Sequence, residues 1–228
     1  MVKVTGRMST KIKICGITNA QDALATAEAG ADALGFVFWE RSPRFVTPET
    51  VAGIVPQLPP HVIKVGVFVN AAEDLVYRAI RECGLNVLQF HGNETPDYCK
   101  QFGLMSMKAI RVKDQQSIAL CRRFNTEALL LDAWSPAQPG GTGAVFDWDL
   151  AVQVQALGRT IFLAGGLTPD NVGEAIRKVR PFGVDVSSGV EKEPGKKDAG
   201  KVRAFIQAAR AASVGSEPLK PLPLFSGA

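Results

Sequence analysis

Lys11–Thr18, KIKICGIT, decides how the chain is read. Ile12, Ile14 and Ile17 form a β-branched run of the kind that fills a buried strand. Lys11, Lys13 and Cys15 fall on the other face, because side chains alternate along a strand. Gly16 ends the strand, and Thr18-Asn19 offers a helix N-cap ahead of QDALATAEAG. The stretch predicts a strand, a turn and a helix, with a thiol and an ammonium facing the same way. Taken alone, Cys15 also reads as a small core residue, since free cysteine is commonly buried and inert.

Seven further strand-like runs follow, alternating with amphipathic segments. They are Ala33–Phe38, Lys64–Val69, Val87–His91, Met107–Ile110 (the weakest), Ala128–Asp132, Thr160–Ala164 and Gly183–Val186. Helix starts repeat one device. Thr47-Pro48-Glu49, Thr95-Pro96-Asp97 and Thr168-Pro169-Asp170 each supply a capping hydroxyl, a proline at N1 and an acid in the first turn. Asn70 with Glu73 resembles a capping box. Strands apolar on both faces and alternating with helices imply a parallel sheet. Eight such units predict a single closed (β/α)8 barrel of the TIM type over 11–212. An open doubly wound sheet is disfavoured, because no GxGxxG follows the first strand. The segment 213–228, SVGSEPLKPLPLFSGA, has three prolines and no periodicity, and is expected to lie outside the barrel.

Composition narrows the function. The 228 residues are 46% hydrophobic and 21% charged, enough for a full core, with a net charge of +4. The basic residues are scattered, without the runs that bind nucleic acid or membranes, and suit an anionic small molecule. The four cysteines match no zinc spacing and the two histidines exclude a histidine-rich metal site, so no metal is expected. With no signal-like start and no membrane-length apolar run, a cytoplasmic protein is expected.

In such barrels chemistry sits at the carboxyl ends of the strands. Those ends carry Cys15, the loop holding Arg41 and Arg44, His91, Asp132, Gly165-Gly166, and Ser187-Ser188-Gly189. The last two loops suggest a phosphate site, as glycines admit an anion close to backbone N–H groups; tight turns alone would also explain them. Asp132 ends a leucine run, where an acid is costly to bury unless it serves something. The loop around Gly141 and Gly143 reads as a lid over a ligand or as a plain surface loop. Arg44 suits a carboxylate, although arginines in surface loops are common. His91 is either an active-face imidazole or a turn residue.

Seven motifs occur in one order: KICGIT with ADALGFVF, SPRFV, LQFHG before Asn93-Glu94, LLLDA, GGTG, AGGLTPDNV and VDVSSGVE. Together they resemble the phosphoribosylanthranilate isomerases of tryptophan biosynthesis over Lys11–Ala212. The resemblance implies a cofactor-free Amadori rearrangement of a phosphorylated small molecule by general acid–base catalysis. It assigns Cys15 as general base and Asp132 as general acid. Arg44 would bind the anthranilate carboxylate, and Gly165, Gly166, Ser188 and Gly189 the phosphate. His91, Gly141, Gly143, Asp185 and Ser187 complete the expected substrate site. A monomer or homodimer is expected.

The chemistry agrees with this assignment. Ring opening needs a proton on the furanose oxygen, and the enolamine needs a proton taken from C2′, so one acid and one base suffice. Lys13 shares the lumen face with Cys15. Asp185 sits on the last strand, beside the first in a closed barrel. The two are therefore expected to pair, since either charge alone would be costly to bury. The Lys13 charge is expected to favour the Cys15 thiolate; alternatively, Lys13 snorkels to the barrel bottom. The related isomerase of histidine biosynthesis has aspartate where Cys15 stands, and metal-dependent phosphosugar epimerases want histidines. A non-catalytic phosphoribosyl sensor would keep the glycine loops but need not keep Cys15 with Asp132.

Overall fold

The computed structural model describes residues 9–133 and 148–213. Eight strands form the barrel: β1 (Lys11–Cys15), β2 (Ala33–Val37), β3 (Ile63–Phe68), β4 (Val87–Phe90), β5 (Met105–Val112), β6 (Ala128–Ala133), β7 (Ile161–Ala164) and β8 (Gly183–Val186). They pair in chain order, all parallel, and β8 closes against β1. Between them run α1 (Ala20–Glu28), α2 (Pro48–Ile54), α3 (Glu73–Cys83), α4 (Pro96–Lys100), α5 (Gln115–Cys121), α6 (Trp148–Gln155) and α7 (Val172–Val179). α8 (Ala199–Ala212) follows β8.

The alternation in KIKIC sorts residues as strand geometry requires. Ile12 and Ile14, with Leu34, Phe36, Phe90 and Leu131, pack outward against helix residues such as Ala23, Val76, Ile176 and Phe205. Val65, Val87, Met107, Leu130 and Phe162 fill the lumen. Each fully buried aliphatic or Phe side chain contributes about 1.5–3 kcal/mol. Asn19 caps α1, accepting from the Asp22 N–H at 2.8 Å, and Thr47 and Thr95 cap α2 and α4 ahead of a proline.

Four local expectations need correction. β5, read as the weakest strand, spans eight residues and pairs with β6 from Met107–Ala128 to Val112–Ala133. Its polar Ser106 and Lys108 hid the apolar pattern. Both are buried because Glu127 and Glu94 satisfy them. Thr168 does not cap α7. The helix starts at Val172, and Thr168-Pro169-Asp170 forms a turn whose Thr168 N–H donates to Asn171 Oδ1 at 2.8 Å. Asn70 caps no helix either: α3 begins after Ala72, and Asn70 takes a left-handed φ of 47°. Its Oδ1 accepts from the Asn93 N–H at 2.7 Å, which ties the loop after β3 to the loop after β4.

The fourth is an unanticipated antiparallel hairpin, β9 (Glu191–Glu193) with β10 (Lys196–Lys197). EKEPGKK is wholly polar apart from its Pro-Gly turn, so periodicity gave no strand signal there. Ser213, first residue of the expected tail, is the C-cap of α8. Gly141, Gly143 and residues 214–228 lie outside the described residues.

Candidate active site

Lys13 and Asp185 sit opposite each other across the β1–β8 pairing, and their side chains meet at 2.8 Å. Lys13 is fully buried and Asp185 is 8% exposed, so each ion is matched by the other where water is absent. The Cys15 sulfur is a second charge neighbour of the Lys13 ammonium. Gly35 on β2 makes room for both: a Cβ there would stand 2.8 Å from Sγ and 3.0 Å from the Lys13 Nζ. Burial works to lower the Lys13 pKa, but Asp185 and Cys15 outweigh it and the ammonium is held charged. For Cys15, Lys13 favours the thiolate as expected, but the net shift goes the other way. Burial raises its pKa more than Lys13 and Lys197 lower it, and Asp185 adds to the rise. Lys13 moderates the cost of forming the thiolate without overcoming it.

Arg44 lies against the same strand end. The aliphatic part of its side chain crosses Gly16, where a Cβ would stand 2.4 Å from Cδ, and Gly16 also adopts a φ of 76°. Nε and Nη2 of Arg44 donate to the two carboxylate oxygens of Glu191 at 2.8 and 2.6 Å. Lys197 Nζ donates to Glu191 Oε1 at 2.8 Å. Hydrogen bonds and charge from these two partners lower the Glu191 pKa despite its burial.

Across the mouth, Asp132 ends the inner face of β6. Its Oδ2 lies 3.3 Å from His91 Nε2, and both side chains are 26% exposed. Gln89, two residues earlier on β4, contacts His91 Nδ1 at 3.2 Å through its amide nitrogen. His91 is held by a tied loop. Glu94 accepts from the N–H groups of Asn70 and Gly92 and from Lys108 Nζ, at 2.8, 2.9 and 2.8 Å. Beside His91 opens a cavity of about 530 Å³, lined also by Asn70, Asn93, Arg111 and Arg123.

Gly165 and Gly166 both have left-handed φ, 80° and 66°. A Cβ on Gly166 would meet nothing within 4 Å, so that side is open. Gly189 leads in the other direction: a Cβ there would be 2.0 Å from the Leu167 carbonyl oxygen, so the loops after β7 and β8 touch and form one floor. Ser188 begins the short turn Ser188–Val190. The buried Ser187 hydroxyl has no hydrogen-bond partner among the described residues. Among the described residues, no three His, Cys, Asp or Glu side chains converge to hold a metal ion.

This geometry matches known proteins over nearly the whole barrel. A family model described as N-(5′-phosphoribosyl)anthranilate (PRA) isomerase matches residues 12–208. The chain belongs to the N-(5′-phosphoribosyl)anthranilate isomerase family. It is 55% identical over 201 residues to the isomerase of Citrifermentans bemidjiense, covering 88% of this chain and 97% of that one. The Pelobacter propionicus isomerase is 54% identical over 200 residues, covering 88% and 95%. The crystal structure of the Thermotoga maritima isomerase superposes with a TM-score of 0.82 at 42% identity, covering 89% of this chain and 99% of that chain. A relative solved with reduced 1-(o-carboxyphenylamino)-1-deoxyribulose 5-phosphate gives 0.79 at 40%, covering 89% and 99%.

In this isomerase-family chain the mouth brings together Cys15, Asp185, Arg44 and Ser187 on one side, and His91 with Asp132 on the other. Sequence reasoning missed Glu191, Lys197, Gln89, Glu94 and Lys108. Glu191 and Glu94 did fall inside or beside quoted motifs, VDVSSGVE and LQFHG-Asn93-Glu94. That placement was the available signal, but partners far apart in sequence gave them their roles.

Proposed function

We propose that this isomerase converts N-(5-phosphoribosyl)anthranilate to 1-(2-carboxyphenylamino)-1-deoxyribulose 5-phosphate with Asp132 as acid and Cys15 as base. Asp132 gives its proton to the furanose ring oxygen. The C1′–O bond breaks, and the nitrogen lone pair forms a C=N bond. The Cys15 thiolate then removes the C2′ proton, and that electron pair makes the enolamine, which tautomerises to the ketone. A thiolate in a dry pocket is a strong base, with Lys13 and Lys197 beside it to stabilise the anion. His91 orients Asp132 through its Nε2 contact. Arg44 takes the anthranilate carboxylate, Asp185 and Ser187 face the sugar, and Gly165, Gly166, Ser188 and Gly189 take the phosphate. Gly141 and Gly143 belong to a covering loop in this reading.

One observation carries it: Cys15 and Asp132 end the lumen faces of β1 and β6, with β8 and β7 lying between them on the barrel's shorter arc. A substrate seated between them meets the acid on one side and the base on the other. The test is the fluorescence decay of phosphoribosylanthranilate with purified protein and its Cys15→Ser variant. Turnover by the wild type and its near loss in the variant support the reading. A folded wild-type protein without turnover would favour a phosphoribosyl sensor instead. The chain is read as cytoplasmic, consistent with the absence, among the described residues, of a helix long and apolar enough to cross a membrane. A monomer or a homodimer remains the reading for assembly; a Thermotoga maritima relative is described as dimeric.

A further inference from the structure

We infer that Glu191, presented by the hairpin after β8, is a positioning residue that orients Arg44 for its carboxylate ligand and so sets selectivity for an aryl amine carrying a carboxylate. This deepens the role of Arg44 proposed above and rests on it.

Glu191 grips the guanidinium from its side edge, through Nε and Nη2. That geometry fixes the plane of the group. Among the described residues Arg44 has no other acceptor for its side-chain donors, so the Nη1 end of the fork faces away from Glu191 with its own N–H groups. A carboxylate meets that end in the second bidentate position of the same planar cation. Without Glu191 the long side chain would have to be ordered by the ligand itself, at the cost of its rotamer entropy.

The hairpin is anchored for this task at points far apart in sequence. The Lys197 N–H donates to Asp22 Oδ2 at 2.8 Å, and the Thr18 hydroxyl donates to the Gly195 carbonyl at 2.6 Å. A Cβ on Gly195 would stand 3.0 Å from the Pro43 carbonyl oxygen, next to Arg44. The loops after β1, β2 and β8 are thus joined through one short hairpin. Lys197, itself 4% exposed, keeps the Glu191 carboxylate matched in charge and fixed in place. Glu191 is 7% exposed, so it has little freedom to leave Arg44 for water.

Calorimetry on the full chain with two probes tests this. One is reduced 1-(o-carboxyphenylamino)-1-deoxyribulose 5-phosphate; the other is the same compound without the ring carboxylate. Glu191→Gln should cut the preference for the carboxylated probe by about tenfold, the low end of a charge-assisted contact, and leave the other probe within about twofold. KM should rise more than kcat falls, and Glu191→Asp should restore part of the preference. Equal losses for both probes, or an unchanged preference, would overturn the inference and leave Glu191 as a fold anchor. Arg44→Ala separates the two levels: if it leaves the preference intact, the carboxylate role of Arg44 itself falls, and this inference with it. Should Glu191→Gln not fold, Glu191→Gln with Lys197→Met leaves no buried ammonium unmatched and is read against the same outcomes.

Discussion

Cys15 is 8% exposed and has Lys13, Asp185 and Lys197 as electrostatic neighbours, whereas the Asp132 side chain is 26% exposed and meets His91 beside an open cavity. The β1–β2–β8 side of the mouth is dry and cross-linked by ion pairs. The β4–β6 side is wetter, with its buried ions one layer back at Lys108 and Glu94. The difference follows the proposed chemistry. A base that takes a proton from carbon gains strength from desolvation. An acid that must recover its proton each turnover benefits from contact with water.

The sharpest way to break this comparison is to remove each reacting group in turn. Cys15→Ser and Asp132→Asn should each lower kcat/KM by ~10²–10⁴-fold with little change in melting temperature. The double variant should lose much less than the product of the two. A Cys15→Ser protein that keeps its turnover would make the dry side a packing feature, with Asp185 the next base to test.

Stability should separate the interior of the dry side from the exposed helical layer around the barrel. Lys13→Met strands the Asp185 carboxylate in the lumen and should cost about 3–5 kcal/mol by denaturant unfolding. Lys178→Met, which breaks an exposed pair with Asp149, should cost less than about 1 kcal/mol. Similar costs for the two would mean that water reaches Lys13.

Arg44→Ala should weaken substrate binding by about 1.5–3 kcal/mol, roughly ten- to more than a hundredfold, and leave inorganic phosphate binding nearly unchanged. Phosphate binding that fell equally would move Arg44 into the phosphate site and join the two halves of the ligand.

The pH profile sharpens the contrast further. Burial raises the Cys15 pKa and the reactive form is the thiolate, so the thiolate fraction grows as pH rises toward that raised value. Asp132 must hold its proton in the same reacting form, so kcat/KM should trace a bell in pH whose two limbs report one group that must be deprotonated and one that must be protonated. A profile that rises with pH and never falls would show that no group has to stay protonated, and would remove Asp132 as the acid. The smallest expected effect belongs to the C-terminal segment: truncation after Ala212 should leave the fold and activity intact. A large drop in melting temperature would show that Leu222, Leu224 or Phe225 packs on the barrel.

The barrel, its strand order and the lumen face of KIKIC were legible in the sequence, because period-2 alternation and helix caps are local signals. So were Cys15 and Asp132, since a strand end is a position along the chain. The Lys13–Asp185 pair was also within reach, because closure of eight parallel strands makes the last the neighbour of the first. What the sequence alone determined stops at such one-dimensional facts. The tertiary structure decided the sign of the Cys15 shift, which depends on how much water the folded lumen excludes. It also decided the partners of Arg44 and His91. Glu191 is 147 residues from Arg44, and Asp132 is 41 from His91. Those pairings come from barrel closure and loop packing, and no local pattern encodes them.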